Sequence, residues 1–109
     1  MKGFYKKNEN DFKPLIQGIN YKCLVYGEKT LLGEFRLKKD AIIPMHKHPH
    51  EQTGYVISGR MIFIIDKIRQ EVAPGDSWCI KGNIEHGVEV LEDSVVIEIF
   101  SPVREEYLP

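Results

Sequence analysis

Met45-His46-Lys47-His48-Pro49-His50-Glu51-Gln52 gathers three of the chain's four histidines into five positions. In an extended chain, residues two apart project to the same side, so His46 and His48 present their imidazoles to one point. Gln52 shares that parity, and Pro49 to Glu51 lets the chain turn before the next apolar run. Neutral imidazole is the commonest protein ligand for zinc, iron, nickel and copper, while an amide oxygen is a weaker, harder donor. His46, His48 and Gln52 are therefore candidate metal ligands. His50 is assigned a supporting or exposed role.

Outward from this stretch the chain reads as short strands separated by turn residues. Apolar runs of strand length are expected near Leu15 to Gln17, Asn20 to Tyr26, Thr30 to Leu37, Gln52 to Ser58, Met61 to Asp66, Gln70 to Val72, Ser77 to Ile80, Glu85 to Leu91 and Ser94 to Phe100, and none has helical periodicity. Ser58-Gly59 reads as a tight hairpin, and Pro74-Gly75 fits a type II turn, with Pro presetting φ and Gly taking the positive φ that follows. Gly82-Asn83 makes a further reversal, after which His86 opens a strand. Alone, His86 would read as a surface or hydrogen-bonded histidine. Beside the cluster it reads as a fourth ligand, brought in by the fold. Many short strands with turns at this spacing predict an all-β sandwich or barrel. Ser101-Pro102 is a plausible helix N-cap and first position, so Val103 to Leu108 is expected to form one short turn.

The chain's 109 residues fit one domain, because two cores would each be too small to offset chain entropy. The expected division is a polar segment over 1–12, a barrel over about 13–101 and a tail over 102–109. A net charge of −1 offers no basic field for phosphates, so nucleic acid is not an expected partner. No apolar run has the length of a membrane helix, so no membrane is expected either. The start, Met1 to Asn10, lacks the apolar core of a signal peptide, which predicts a cytoplasmic address. Cys23 and Cys79 lie far apart with no C-x-x-C pattern, and both are expected to be buried as small apolar residues.

A second set of residues lies in Val95-Val96-Ile97-Glu98-Ile99-Phe100. The run is apolar enough to be buried, and a buried carboxylate needs a partner or a function; the plain alternative is an ion pair with a lysine at a rim. Strand parity puts Glu98 and Phe100 on one face and Ile97 and Ile99 on the other. If the first faces a pocket, the second must be covered elsewhere, and a homodimer interface would do so. Arg104 carries a planar fork that matches a carboxylate in two parallel hydrogen bonds, unless it is merely a solvated charge of the tail. Arg36 and Arg60 are further candidates that the sequence does not rank.

His46-x-His48-x3-Gln52-x6-Gly59 resembles the first motif of the cupins, and the stretch from Gly75 through Lys81 and Gly82 to His86 resembles the second. The resemblance implies a jelly-roll barrel, the cupin double-stranded β-helix, holding one divalent transition metal ion (zinc, nickel, manganese or iron) on His46, His48, Gln52 and His86. Two positions depart from the pattern: Gln52 stands where many cupins have Glu, and Lys81 where Pro is usual. Three neutral imidazoles and a neutral amide would leave the ion its full double charge, making it a stronger Lewis acid than one held by a carboxylate. This donor set also differs from the two-histidine, one-carboxylate face of non-haem iron oxygenases.

Within the cupins, His-x-His-Pro-His-Glu-Gln followed by Gly-Tyr-Val-Ile-Ser-Gly-Arg, with the tail Phe100-Ser-Pro-Val-Arg104, is similar to the small cupins of pectin and alginate breakdown, which convert 4,5-unsaturated monouronates to linear keto sugars. That resemblance implies that Arg104 engages a substrate carboxylate, that Phe100 lines the pocket, and that Glu98 is the catalytic acid or base. At that last position the family uses Asp, one methylene shorter. The expectation is a metal-dependent enzyme, isomerase-like or lyase-like, acting on a small sugar acid. A non-catalytic metal- or ligand-binding module and an oxygen-using dioxygenase are the alternatives that the sequence leaves open.

Overall fold

Alternating burial runs through the chain from Lys13 to Ser101 in the computed structural model, which describes residues 3–109. The first two positions of the polar segment expected over 1–12 lie outside the described residues. Ten strands form: β1 (Lys13–Ile16), β2 (Ile19–Tyr26), β3 (Leu31–Leu37), β4 (Ile42–His46), β5 (Glu51–Ser58), β6 (Met61–Ile65), β7 (Ile68–Val72), β8 (Ser77–Ile80), β9 (His86–Val90) and β10 (Ser94–Ser101). They make two antiparallel sheets, one of six strands in the order β1-β2-β3-β10-β5-β8 and one of four in the order β4-β9-β6-β7. The all-β architecture is the one the apolar runs predict.

Core side chains come from alternate positions of both sheets: Leu31, Phe35 and Leu37 of β3, Val56 of β5, Met61 and Phe63 of β6, Val88 and Val90 of β9, Val96 and Phe100 of β10. Each fully buried residue of this size contributes about 1.5–3 kcal/mol over leaving it in water. Among the described residues no helix is long and apolar enough to cross a membrane.

The turns form as expected. Gly59 has φ +90°, and Gly75 has φ +95° with the Asp76 amide donating to the Ala73 carbonyl across 2.9 Å, which closes the type II turn. Asn83 also takes positive φ, at 65°. Four expectations need correction. β4 was not among the expected strands: it is an edge strand carrying Pro44, whose missing N–H breaks the pairing with β9 between Ile43 and His46. Asp66 turns rather than extends, with φ 57°, and β6 pairs directly into β7 at Ile65 and Ile68. Ser101 caps no helix; it ends β10, the Ser101-Pro102 bond is cis, and the short turn expected over Val103 to Leu108 forms as the 3-10 turn Glu105–Tyr107, preceded by Arg104 without a side-chain cap. Finally, Cys79 is exposed and Cys23 half-buried, because Trp78 and Ile80 take the inward positions of β8.

Candidate metal centre

The histidines converge from three chain segments. His46 ends β4, His86 begins β9 directly opposite it, and His48 lies in the link that carries the chain from β4 to β5. That link is held by the Gly82-Asn83 turn: the Asn83 amide donates to the His48 carbonyl at 2.7 Å, and Gly82 packs so closely on the Pro49 carbonyl that a side chain there would overlap it. Ring centroids are 4.2 Å apart for His46 and His86 and 4.8 Å for His48 and His86. One ring nitrogen of each histidine lies within 4.8 Å of the other two.

The tautomers follow from the hydrogen bonds. Nδ1 of His46 lies 2.9 Å from the Pro44 carbonyl, Nδ1 of His86 2.8 Å from that of Ile84, and Nδ1 of His48 3.0 Å from that of His50. His48 has an oxygen at both ring nitrogens, whereas in His46 and His86 the Nδ1 faces a carbonyl, which has no proton to give, so Nδ1 carries the proton and Nε2 keeps a lone pair. This is the arrangement by which proteins orient metal-binding imidazoles. Nε2 of His86 is buried with no protein partner. Burial lowers His48 to about 4, assisted by the Arg104 charge, and lowers His86 as well, although its bond to Ile84 opposes the shift. Both rings are therefore neutral at neutral pH.

Gln52 completes the set. Its Oε1 lies 3.0 Å from Nε2 of His48, and its Nε2 donates to Oε2 of Glu98. The amide is thus turned with its oxygen toward the histidines and its nitrogen toward the carboxyl. The donor set and the orphaned His86 nitrogen together fit a divalent ion on His46, His48, Gln52 and His86.

Glu98 is buried on β10 between two glycines, Gly33 of β3 and Gly54 of β5, which pair with it on either side. The space that Gly54 leaves is filled from β8: Trp78, paired with Gly54, donates its indole N–H to Oε1 of Glu98 at 2.5 Å. Burial pushes the Glu98 carboxyl up to about 8, against the pull of these two N–H donors and of the Arg104 charge. No lysine pairs with it, so the rim ion pair considered from sequence is not what forms.

His46, Gln52, His86, Glu98, Phe100 and Arg104 all line one cavity of about 250 Å³, whose remaining wall is mostly apolar. Arg104 has a side chain only 12% exposed; it sits over the rings of Phe100 and Tyr107, with centroid distances of 5.2 and 4.5 Å, and donates to Glu106. Its Nε is buried without a partner. Arg36 and Arg60 are elsewhere, paired with Glu9 and Glu34 and with Glu71 and Glu92 respectively. A wider groove of about 1540 Å³ lies between the N-terminal segment and β2 and contains none of the histidines. The reading of the sequence missed Trp78 and Tyr107. A lone Trp in a short strand signals a buried indole in need of an acceptor, but nothing in the sequence shows that the acceptor is Glu98.

The model of the family described as "Cupin domain" matches residues 33–101. Across 110 aligned residues, 99% of this chain and 100% of the other, the sequence is 31% identical to the pectin degradation protein KdgF of Dickeya dadantii (strain 3937). The structure of KdgF from Halomonas sp. superposes with a TM-score of 0.91 at 29% identity, covering 96% of this chain and 99% of that one. An RmlC-like cupin from Shewanella frigidimarina NCIMB 400 shares the fold, with a TM-score of 0.90 at 23% identity over 95% of each chain.

Proposed function

This chain belongs to the cupin family, and from that premise we propose that it is a metal-dependent enzyme that ketonises or linearises a small unsaturated uronate. One observation carries the reading: the proposed ligands His46, Gln52 and His86 share a small cavity with a buried carboxyl and a largely covered arginine. The relatives named for pectin degradation supply the substrate class. A divalent ion on these donors would polarise a substrate oxygen.

The chain's own residues divide the remaining work. Arg104 is held by the Phe100 and Tyr107 rings, and its unpartnered Nε faces no protein acceptor, so it is placed to take the substrate carboxylate. Phe100 supplies an apolar wall against the sugar carbons. Glu98 has a proton to give at neutral pH, which is what conversion of an enol to a ketone requires at carbon. We read residues 1–109 as one domain. A second copy is proposed to cover the outer face of the six-stranded sheet, where Tyr55, Ile57 and Ile99 are exposed beside Ile97.

Metal-loaded protein is expected to remove the conjugated absorbance of a 4,5-unsaturated monouronate, while chelator-treated protein and His46→Ala or His86→Ala do not. Saturable binding of the sugar acid with no loss of absorbance would replace the enzyme with a binding module. Oxygen uptake on phenolic or diketone substrates would replace it with a dioxygenase.

A further inference from the structure

Three strands in one line produce a chain of contacts that reaches the metal ligands from behind. Trp78 of β8, Gly54 of β5 and Glu98 of β10 are successive cross-strand partners, and all three point inward. Because Gly54 has no side chain, the indole and the carboxyl meet directly over its backbone; a Cβ at that position would overlap both. The opposite oxygen of Glu98 accepts from Nε2 of Gln52. Both ends of the carboxyl are therefore engaged by N–H donors, one of them fixed in a ring that stacks on Phe63 with centroids 4.0 Å apart.

We propose that Trp78 is a positioning residue for the metal centre, acting through Glu98 to hold the Gln52 amide with its oxygen toward the histidines. The proposal rests on Gln52 being a ligand. An amide rotates freely about its last torsion, and its two ends differ in that only the oxygen can ligate. Glu98 favours one of them, since its oxygen opposite the indole accepts from the amide NH2 and so leaves the amide oxygen on the side of the histidines. The same contact suits an amide at position 52, which alone offers an N–H to Glu98 at one end and an oxygen at the other. Gln52 serves both sides at once, as donor to Glu98 and as acceptor toward the ion.

Trp78→Phe keeps the ring and removes the N–H. With zinc as the probe and a chelator in competition, the variant is expected to bind about 10- to 100-fold more weakly, the usual effect of losing a residue that orients a ligand. In a Gln52→Ala background the same change is expected to add nothing, because its route to the ion has gone. Unaltered zinc affinity in Trp78→Phe, where Gln52→Ala binds more weakly, would overturn the proposal. So would additive losses in the double variant. If Gln52→Ala binds zinc as the parent does, the ligand set itself fails instead. A measurement on the unaltered protein stands should Trp78→Phe not fold: the chain has one tryptophan, so a single indole N–H resonance reports on the contact. It is expected to shift with zinc on the same saturation curve as the histidine rings, and an indole signal unmoved at saturation would refute the coupling.

Discussion

At the scale of single residues, the centre is built from neutral donors surrounded by groups held at uncommon protonation states. Glu98 has a folded pKa raised above the usual carboxylate value, so the fold binds a proton that the unfolded chain releases. Between pH 6.5 and 8, stability of the metal-free protein should therefore fall as pH rises, by up to about 1.4 kcal/mol per unit. His48 works in the other sense: its folded pKa is depressed, so its contribution is lost as pH drops from about 6.5 toward 4 and opposes the Glu98 slope only at the lower edge of this window. Urea melts of parent and Glu98→Gln across pH 6.5 to 8 test this, and equal slopes would remove Glu98 from the account. In kinetics at saturating metal, Glu98→Gln should lower turnover by roughly 10²–10⁴. Arg104→Lys should instead act mainly on KM, since an ammonium keeps the charge but loses the paired hydrogen bonds and the seat over Phe100 and Tyr107. A fall in turnover for Arg104→Lys with KM unchanged would move that residue from binding to chemistry.

At the scale of elements, glycine placement decides what the strands can hold. Gly54→Ala inserts a methyl between the Trp78 indole and the Glu98 carboxyl, and overpacking of this kind costs about 1–3 kcal/mol. The variant should melt earlier with or without metal, and an unchanged midpoint in the thermal unfolding curve would show that the sheet absorbs the methyl elsewhere. Much of this level could be read from the chain. The hairpin at Gly59, the Pro74-Gly75 turn and the parity of β10 follow from backbone angles and period-two alternation, which are local properties. The three histidines that the fold brings together were legible for the same reason, in two motifs each written in a short stretch. β4 was not, because Pro44 is a strand-breaking signal, and the place of β4 at a sheet edge, where a proline is tolerated, is set only by the folded sheet. Trp78 was not, because its partner lies twenty positions away and two strands over. The short turn expected in the tail forms, but its start was misplaced because Ser101 and Pro102 carry helix-start chemistry, while pairing of Ser101 with Glu51 keeps the strand running one residue further than expected.

At the scale of the whole molecule, the outer face of the six-stranded sheet leaves several apolar side chains to solvent. Ile57, Tyr55 and Ile99 are each 44–50% exposed there, and a second copy would cover them. Sedimentation should show a dimer that Ile57→Lys with Ile99→Lys converts to a monomer of unchanged far-ultraviolet dichroism; a monomeric parent protein would end that reading. The two sheets raise a different matter. His46 and His86 belong to the four-stranded sheet, Gln52 to the six-stranded one, and His48 to the link between them. An ion on all four donors is a cross-brace between the layers, so one layer could not part from the other without ligand dissociation. Breathing of the sandwich would then be timed by the off-rate of the ion, and amides of β4 and β5, on opposite sheets, should become protected from hydrogen exchange together when the site is filled.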